Sequence, residues 1–417
     1  MVNSEGARTA LAIHYDRTAV AHWLAGTRPR EQVCVLICQV LSRALGRTIH
    51  PAQAGFAEAV DTPPAASPQD RLRELAEDTP TALRALQRLP YSLTSELSLP
   101  KQATGAEPRS GRIGIGHAKA AELMVVLFAK SDLIFGGARL RPALAAHLST
   151  EIAPSLECSA TPSIAQRFRQ ASADLAYLAG TMCFDDNLHG AAQAYYRTAA
   201  QLSSGIGDRQ RYSMTLRQMS VQAHYVGHPK LALQFAEGAG REISGVQPQF
   251  AAFVTGQEAV ALAGVGMRQE AFAKLGRVQR LLDRNEAAVS VLGGYHPAAF
   301  AHQQAEVLAA VRDIPGACGA LAVSLRHRHP EERRARMLTT ARLAELQLGQ
   351  GHLELACTTW EGFLDDYPLI SSARGDSALR ALRAGLRPYQ REPSARRLLA
   401  RAARLSAPRT GGPAGSA

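Results

Sequence analysis

Between Asp16 and Leu45 two apolar-periodic segments meet at a basic break. In the first, Val20, Trp23 and Leu24 fall at i, i+3 and i+4, on one face of a helix. Asp16 suits its N-cap, because the carboxylate can accept from the first free backbone N–H groups. Gly26 can take the left-handed conformation that closes such a helix. Pro29 then fits the first turn of a second helix, with Glu31 near its positive end. There Val33, Leu36, Ile37, Val40, Leu41 and Leu45 form one stripe, ending at Gly46. The opposite face of the first helix carries Arg17, Thr18, Ala21 and His22, with Arg28 and Arg30 just beyond. A DNA-reading helix presents this mix to a major groove: short side chains for close approach, polar groups that reach base edges, and arginines that neutralise phosphates. Two packed surface helices with an arginine-rich corner account for the same residues.

From about Ile164 the chain repeats. A helix ends, a short turn follows, and a second helix opens with an alanine at a fixed place. The turns are DDNLHGAAQAYY, GHPKLALQFA, GMRQEAFAKL, RDIPGACGAL and GQGHLELACTTW, and the matching alanines are Ala192, Ala232, Ala271, Ala317 and Ala356. Their separations, taken from those positions, are 40, 39, 46 and 39 residues, against a basic tetratricopeptide unit of about 34 with longer turns tolerated. A small residue belongs where the two antiparallel helices of a unit cross closely. The spacing predicts an all-α fold, a tetratricopeptide-like α-solenoid over 116–405. Its concave surface would be lined mainly by the first helix of each unit. Arg217, Gln222, Gln257, Gln303, Glu306 and Arg342 are candidate effector contacts there, and plain surface positions on the alternative reading. Ser371 to Gly385 and Pro393 to Leu405 form a last pair. Arg380, Arg383, Arg387, Arg396, Arg397, Arg401 and Arg404 would give it the polar outer face a terminal repeat needs, or a second DNA-contacting patch.

Between head and repeats, Asp61 to Gln69 reads as a linker and Asp70 to Leu89 as a modest helix broken at Pro80. Pro90 to Gly116, rich in Ser, Pro and Gly, reads as a mobile loop. The GRIGIGHAK run is not a nucleotide loop: no strand precedes it, and no Gly-Lys-Ser/Thr ends it. Gly114 and Gly116 instead punctuate the start of a helix. The tail from Ser406 is expected to be disordered.

The formal charge of +11 suits an acidic partner such as nucleic acid. The arginine bias also fits a GC-rich genome. The charge is uneven, with ten arginines against two acids from Arg374 onward. Six cysteines lack metal spacing, and Cys34 and Cys38, an i, i+4 pair, read as core. No run has the length of a membrane span and no secretory leader opens the chain, so a cytoplasmic protein is expected. Gly-x-Ser-x-Gly, His-Glu-x-x-His and Cys-x-x-Cys motifs are missing. His224 and His228 read as a turn contact, and the Asp185–Asp186 and Asp365–Asp366 pairs as helix-end residues. Neither an enzyme nor a metal or cofactor is expected.

TAVAHWLAGTRPR, followed by a Leu/Val-rich helix and LGR, resembles the recognition helix and following helix of actinomycete Xre-type helix-turn-helix regulators that carry C-terminal tetratricopeptide repeats. GHAKAAELMVVLFAKSDLIFGGARLRPALAAHLSTEIAPSL resembles the segment that joins their two parts, and ADLAYLAGTMCFDDNLHGAAQAYYRTAAQL their first repeat. The resemblance covers nearly the whole chain through degenerate motifs. It implies that Val20 and Trp23 are core, that Arg17, Thr18 and His22 face DNA, and that Arg28 and Arg30 lie near its backbone. It also implies control of differentiation or secondary metabolism. The expectation is then a transcriptional regulator that docks on double-stranded DNA as one half of a homodimer, with the solenoid supplying the dimer surface, a groove for a peptide or protein effector, or both, and with no membrane partner. In that family a complete helix and most of another precede this point. Fifteen residues precede Asp16 here, with Ala7 to Ile13 read as the tail of the second helix. The head over 1–60 is therefore expected to be a partial helix-turn-helix or to continue upstream. The competing expectation is a tetratricopeptide adaptor that binds a partner protein and no DNA.

Overall fold

The structure, a computed structural model, describes residues 15–45, 48–49, 53–56, 67–75, 86–87, 89–97, 111–283 and 295–405. The expectations for Ala7–Ile13, Gly46, most of the Asp61–Gln69 linker, the Pro80 break and the tail from Ser406 lie outside those residues. Regular structure among the described residues is helical, apart from an isolated bridge between Arg112 and Ser159. The head holds α1 (Arg17–Leu24) and α2 (Glu31–Leu45), and the connecting region holds α3 (Pro68–Glu74). Gly114 caps α4 (Ile115–Phe135), as the glycine reading expects, and α5 (Arg141–His147) follows.

Six antiparallel pairs then stack as an α-solenoid. They are α6 (Pro162–Asp185) with α7 (His189–Gly205), α8 (Arg209–Tyr225) with α9 (Pro229–Arg241), α10 (Pro248–Gly264) with α11 (Arg268–Leu282), α12 (Pro297–Ala310) with α13 (Ile314–His327), α14 (Arg333–Gly349) with α15 (Leu353–Asp366), and α16 (Ala373–Leu386) with α17 (Pro393–Leu405). The turn inside each of the first five pairs contains one residue in the left-handed region: Asn187, Gly227, Gly266, Arg312 and Gly351. Each lies five positions before the repeat alanine, and all five alanines are fully buried. One turn geometry therefore sets each crossing, and the alanine sits where the helices come closest. Only the Asn187 and Arg312 turns place a side chain in a conformation that L residues adopt uncommonly.

The stretch read as a mobile loop is pinned where it is described. Residues 89–97 run as an extended strap over α7. Ser92 and Gln193 exchange two hydrogen bonds of 2.7 and 2.8 Å, and Arg197 donates to Glu96 O and Thr94 O. Gly190 is required beneath it, since a Cβ there would lie 1.9 Å from Leu89 O. The polar side chains of α7 supply the partners, which composition could not reveal.

The solenoid curves until its two ends touch. Asp132 of α4 accepts from Arg334 of α14 at 2.6 Å, with Asp185 of α6 3.9 Å from the same guanidinium. Ser372 donates to Asp185 at 2.8 Å, Ser371 N to Phe135 O at 2.8 Å, and Asn187 to Ser377 Oγ at 3.3 Å. Asp185 thus does more than end a helix: it joins the first repeat to the last. Arg380, expected on the outer cap, is half-buried in this seam, whereas Arg383, Arg387, Arg396, Arg397 and Arg404 are exposed, and Arg401 pairs with Glu361 and Asp365.

Candidate functional site

Asp16 caps α1, accepting from Ala19 N at 2.9 Å, and Gly26, at φ +102°, closes it. Arg17, Thr18, Ala21 and His22 are exposed on this helix, and Arg28 and Arg30 are exposed after it. On a helix the first four span one broad face, so the structure brings the predicted contact residues together in solvent. The expected apolar face is not a core among the described residues. Val20 is 42% exposed and Leu24 86%, and no residue of α1 is buried. Trp23 is half-buried, with its ring edge-to-face on Tyr15 at 4.8 Å. The i, i+3, i+4 pattern marks an apolar face but does not say what covers it.

The second helix is anchored. Pro29, Val33, Cys34, Leu36, Cys38, Val40 and Ser42 are buried, Ile37 and Leu41 half-buried, and Leu45 exposed. Burial and the neighbouring Cys34 push the Cys38 thiol up to about 11, consistent with a core role. Ser42 accepts from Ile49 N, Thr48 from Leu93 N, and Arg43 donates to Val226 O at 2.8 Å. Tyr91 of the strap stacks on His228 with rings 5.6 Å apart. The head is thus tied through α2 and the strap to the first two repeats, with α1 left projecting.

The six groove candidates fall into three sets. Arg217, Gln257 and Gln303 come together. Gln303 donates to Tyr295 Oη at 2.7 Å and accepts from Arg217 Nη2 at 3.2 Å. The Arg217 guanidinium lies 3.9 Å over the Phe253 ring, and burial pushes its pKa down. Glu306 and Arg342 pair at 3.5 Å. Gln222 stands apart, donating to His189 O at 2.7 Å. Gln222, Gln257 and Gln303 are buried, so these three bond helix to helix and are not open groove contacts. Glutamine satisfies a neighbouring helix or a ligand with the same atoms, and periodicity cannot separate the two. His302, bonded to Thr339, is pushed down to about 4 by burial, and His224 is also lowered by burial. Sequence reasoning missed Phe253 and Tyr295. An aromatic on a first helix was the available signal for Phe253, whereas Tyr295 lies just before α12 and had none.

Among the described residues no group of His, Cys, Asp and Glu is placed to hold a metal, and no helix is long and apolar enough to cross a membrane. Residues 1–57 match a family model described as the SP15 N-terminal domain, a match that falls on the head and stops before the repeats. None of the curated proteins matches the chain.

Proposed function

We propose that this chain is a transcriptional regulator of the Xre-like, tetratricopeptide-containing kind, working in the cytoplasm as a homodimer on two-part sites. The observation that carries the reading is the exposed face of α1. Arg17, Thr18, Ala21 and His22 stand clear of the body while Arg28 and Arg30 flank them. A capped helix of eight residues is short enough to enter a major groove, and the tie from α2 to the repeats gives a change in the solenoid a route to its position. A peptide or protein effector held by the repeats would then alter the spacing of two such heads. The half-buried Arg217, stacked on Phe253, and the Glu306–Arg342 pair are the groove candidates that stay partly open to solvent, and they support an effector contact.

Gel-shift and anisotropy measurements on genomic fragments test this. Arg17→Ala and His22→Ala are expected to abolish discrimination between fragments. Arg28→Ala and Arg30→Ala are expected to weaken all fragments alike and each to lower the slope of log affinity on log salt by about one. Equal, nonspecific affinity for every fragment, unchanged by Arg17→Ala or His22→Ala, would sink the proposal.

The second reading is an adaptor that docks a protein. The exposure of Val20 and Leu24 on α1 favours it, because an uncovered apolar pair suits a protein surface better than a phosphate backbone. Val20→Ser with Leu24→Ser would then abolish capture of a partner in nuclease-treated extract while leaving DNA retention absent throughout.

A further inference from the structure

Where the last repeat meets the first, α16 sets two arginines against the α6–α7 turn. The Arg374 guanidinium carbon lies 4.7 Å from the Phe184 ring centre and 4.6 Å from that of Tyr225, and those rings meet each other edge-to-face at 5.2 Å. His189 stands beside both rings, at 5.9 and 5.8 Å. Stacking fixes the plane of Arg374 without using any of its N–H groups. Among the described residues its buried Nε has no acceptor, nor has the Nε of Arg380, whose Nη2 donates to Ser377 Oγ at 3.0 Å. The carboxylates close by are engaged: Asp185 by Ser372 and Gly137, Asp186 by Arg141, and Asp376 by Tyr367.

Nδ1 of His189 and Oδ1 of Asn187 are also buried here without a partner among the described residues, as is Oε1 of Gln222, whose Nε2 donates to His189 O. Burial holds His189 neutral, so its ring can carry its one proton on Nδ1. Asn187, bonded through Nδ2 to Ser377, keeps an acceptor free. Buried polar groups in folded proteins are nearly always paired; here Arg374 and His189 share the Phe184 and Tyr225 rings, and Arg380 and Asn187 share Ser377, so the unpaired atoms lie along one seam and call for a missing partner. Donors from two guanidiniums and an imidazole, beside the Asn187 acceptor, match an oxygen anion that also carries an O–H.

We propose that this seam is a binding site for a hydroxyl-bearing oxyanion, a hydrogen phosphate group or a hydroxy-carboxylate, gripped by Arg374, Arg380 and His189 with Asn187 accepting from its O–H. Such a ligand would touch both ends of the solenoid and so favour the closed superhelix. The site is separate from the Arg217 cluster and does not depend on DNA binding.

Calorimetric titration of the full chain at low ionic strength, with inorganic phosphate and separately with glycolate, tests it. Saturable one-site binding of at least one anion is expected, weakened about tenfold or more by Arg374→Gln or Arg380→Gln and unchanged by Arg391→Gln at an exposed position. Binding of phosphate alone would assign a phosphoryl ligand, and of glycolate alone a carboxylate. Asn187→Asp keeps a residue tolerant of its left-handed turn but loses the donor to Ser377 and adds a carboxylate, so loss of binding in it counts for the proposal only where its unfolding midpoint matches that of the parent chain. Absence of saturation by both anions, or an equal loss in Arg391→Gln, would overturn the proposal. The readout uses no DNA, so its failure leaves the regulator reading standing, and failure of that reading leaves this one.

Discussion

His189 and His302 sit where burial outweighs whatever would stabilise a proton. Burial first, and the cation of Arg374, push His189 down to about 3. Burial also pushes His302 down to about 4, against the partial help of Glu306. Their ordinary value is 6.5, so between that pH and these values the unfolded chain binds more protons than the folded one. Stability is therefore complete above that ordinary value and falls as the pH drops through the window, by at most about 1.4 kcal/mol per pH unit for each histidine. Urea unfolding at a series of pH values should show the decline, and His302→Gln should flatten it. An unaltered slope in that variant would refute the assignment. No spacing pattern announces this: the rings against His189 are Phe184, across the turn, and Tyr225, on α8. The glutamines behave the same way: Gln222, Gln257 and Gln303 have the spacing of groove residues but face neighbouring helices.

At the level of elements the turns are the most readable part of the chain. A left-handed residue and, five positions later, a buried alanine recur through five pairs, and both are local features. Ala232→Leu is expected to cost about 1–3 kcal/mol in denaturant unfolding, since a close helix crossing has no room for three more carbons. The strap is the opposite case. Its residues look like loop, and their fixed course depends on Gln193 and Arg197 of α7, about a hundred positions on. Gly190→Ala drives a methyl into Leu89 O and should free the strap while α7 stays helical. Hydrogen exchange would then accelerate at Ser92 and Leu93, and unchanged protection there would count against the strap being held in this way. For α1, removing the cap with Asp16→Ala should cost about 1 kcal/mol of helix stability and weaken DNA retention with it.

The whole molecule is set by the closure of its ends. Arg334 bridges Asp132 and Asp185, which are both almost fully buried. Arg334→Gln leaves those charges without their cation, a loss of about 3–5 kcal/mol by analogy with other buried pairs. Solution scattering should show a larger radius of gyration if the ends part, and an unchanged profile with undiminished stability would show that the seam is dispensable. The sequence by itself determined the helical pairs, their order and the polar face of the short helix at the amino end, because helix periodicity, caps and turn residues act within a few positions; it did not determine that Val20 and Leu24 are exposed. The tertiary structure alone decided which polar groups are interior, what the strap holds, and that the first repeat meets the last. Asn187 and Ser377 lie 190 positions apart, and their meeting depends on the small rotation between successive repeats summed along the stack, which no local pattern records.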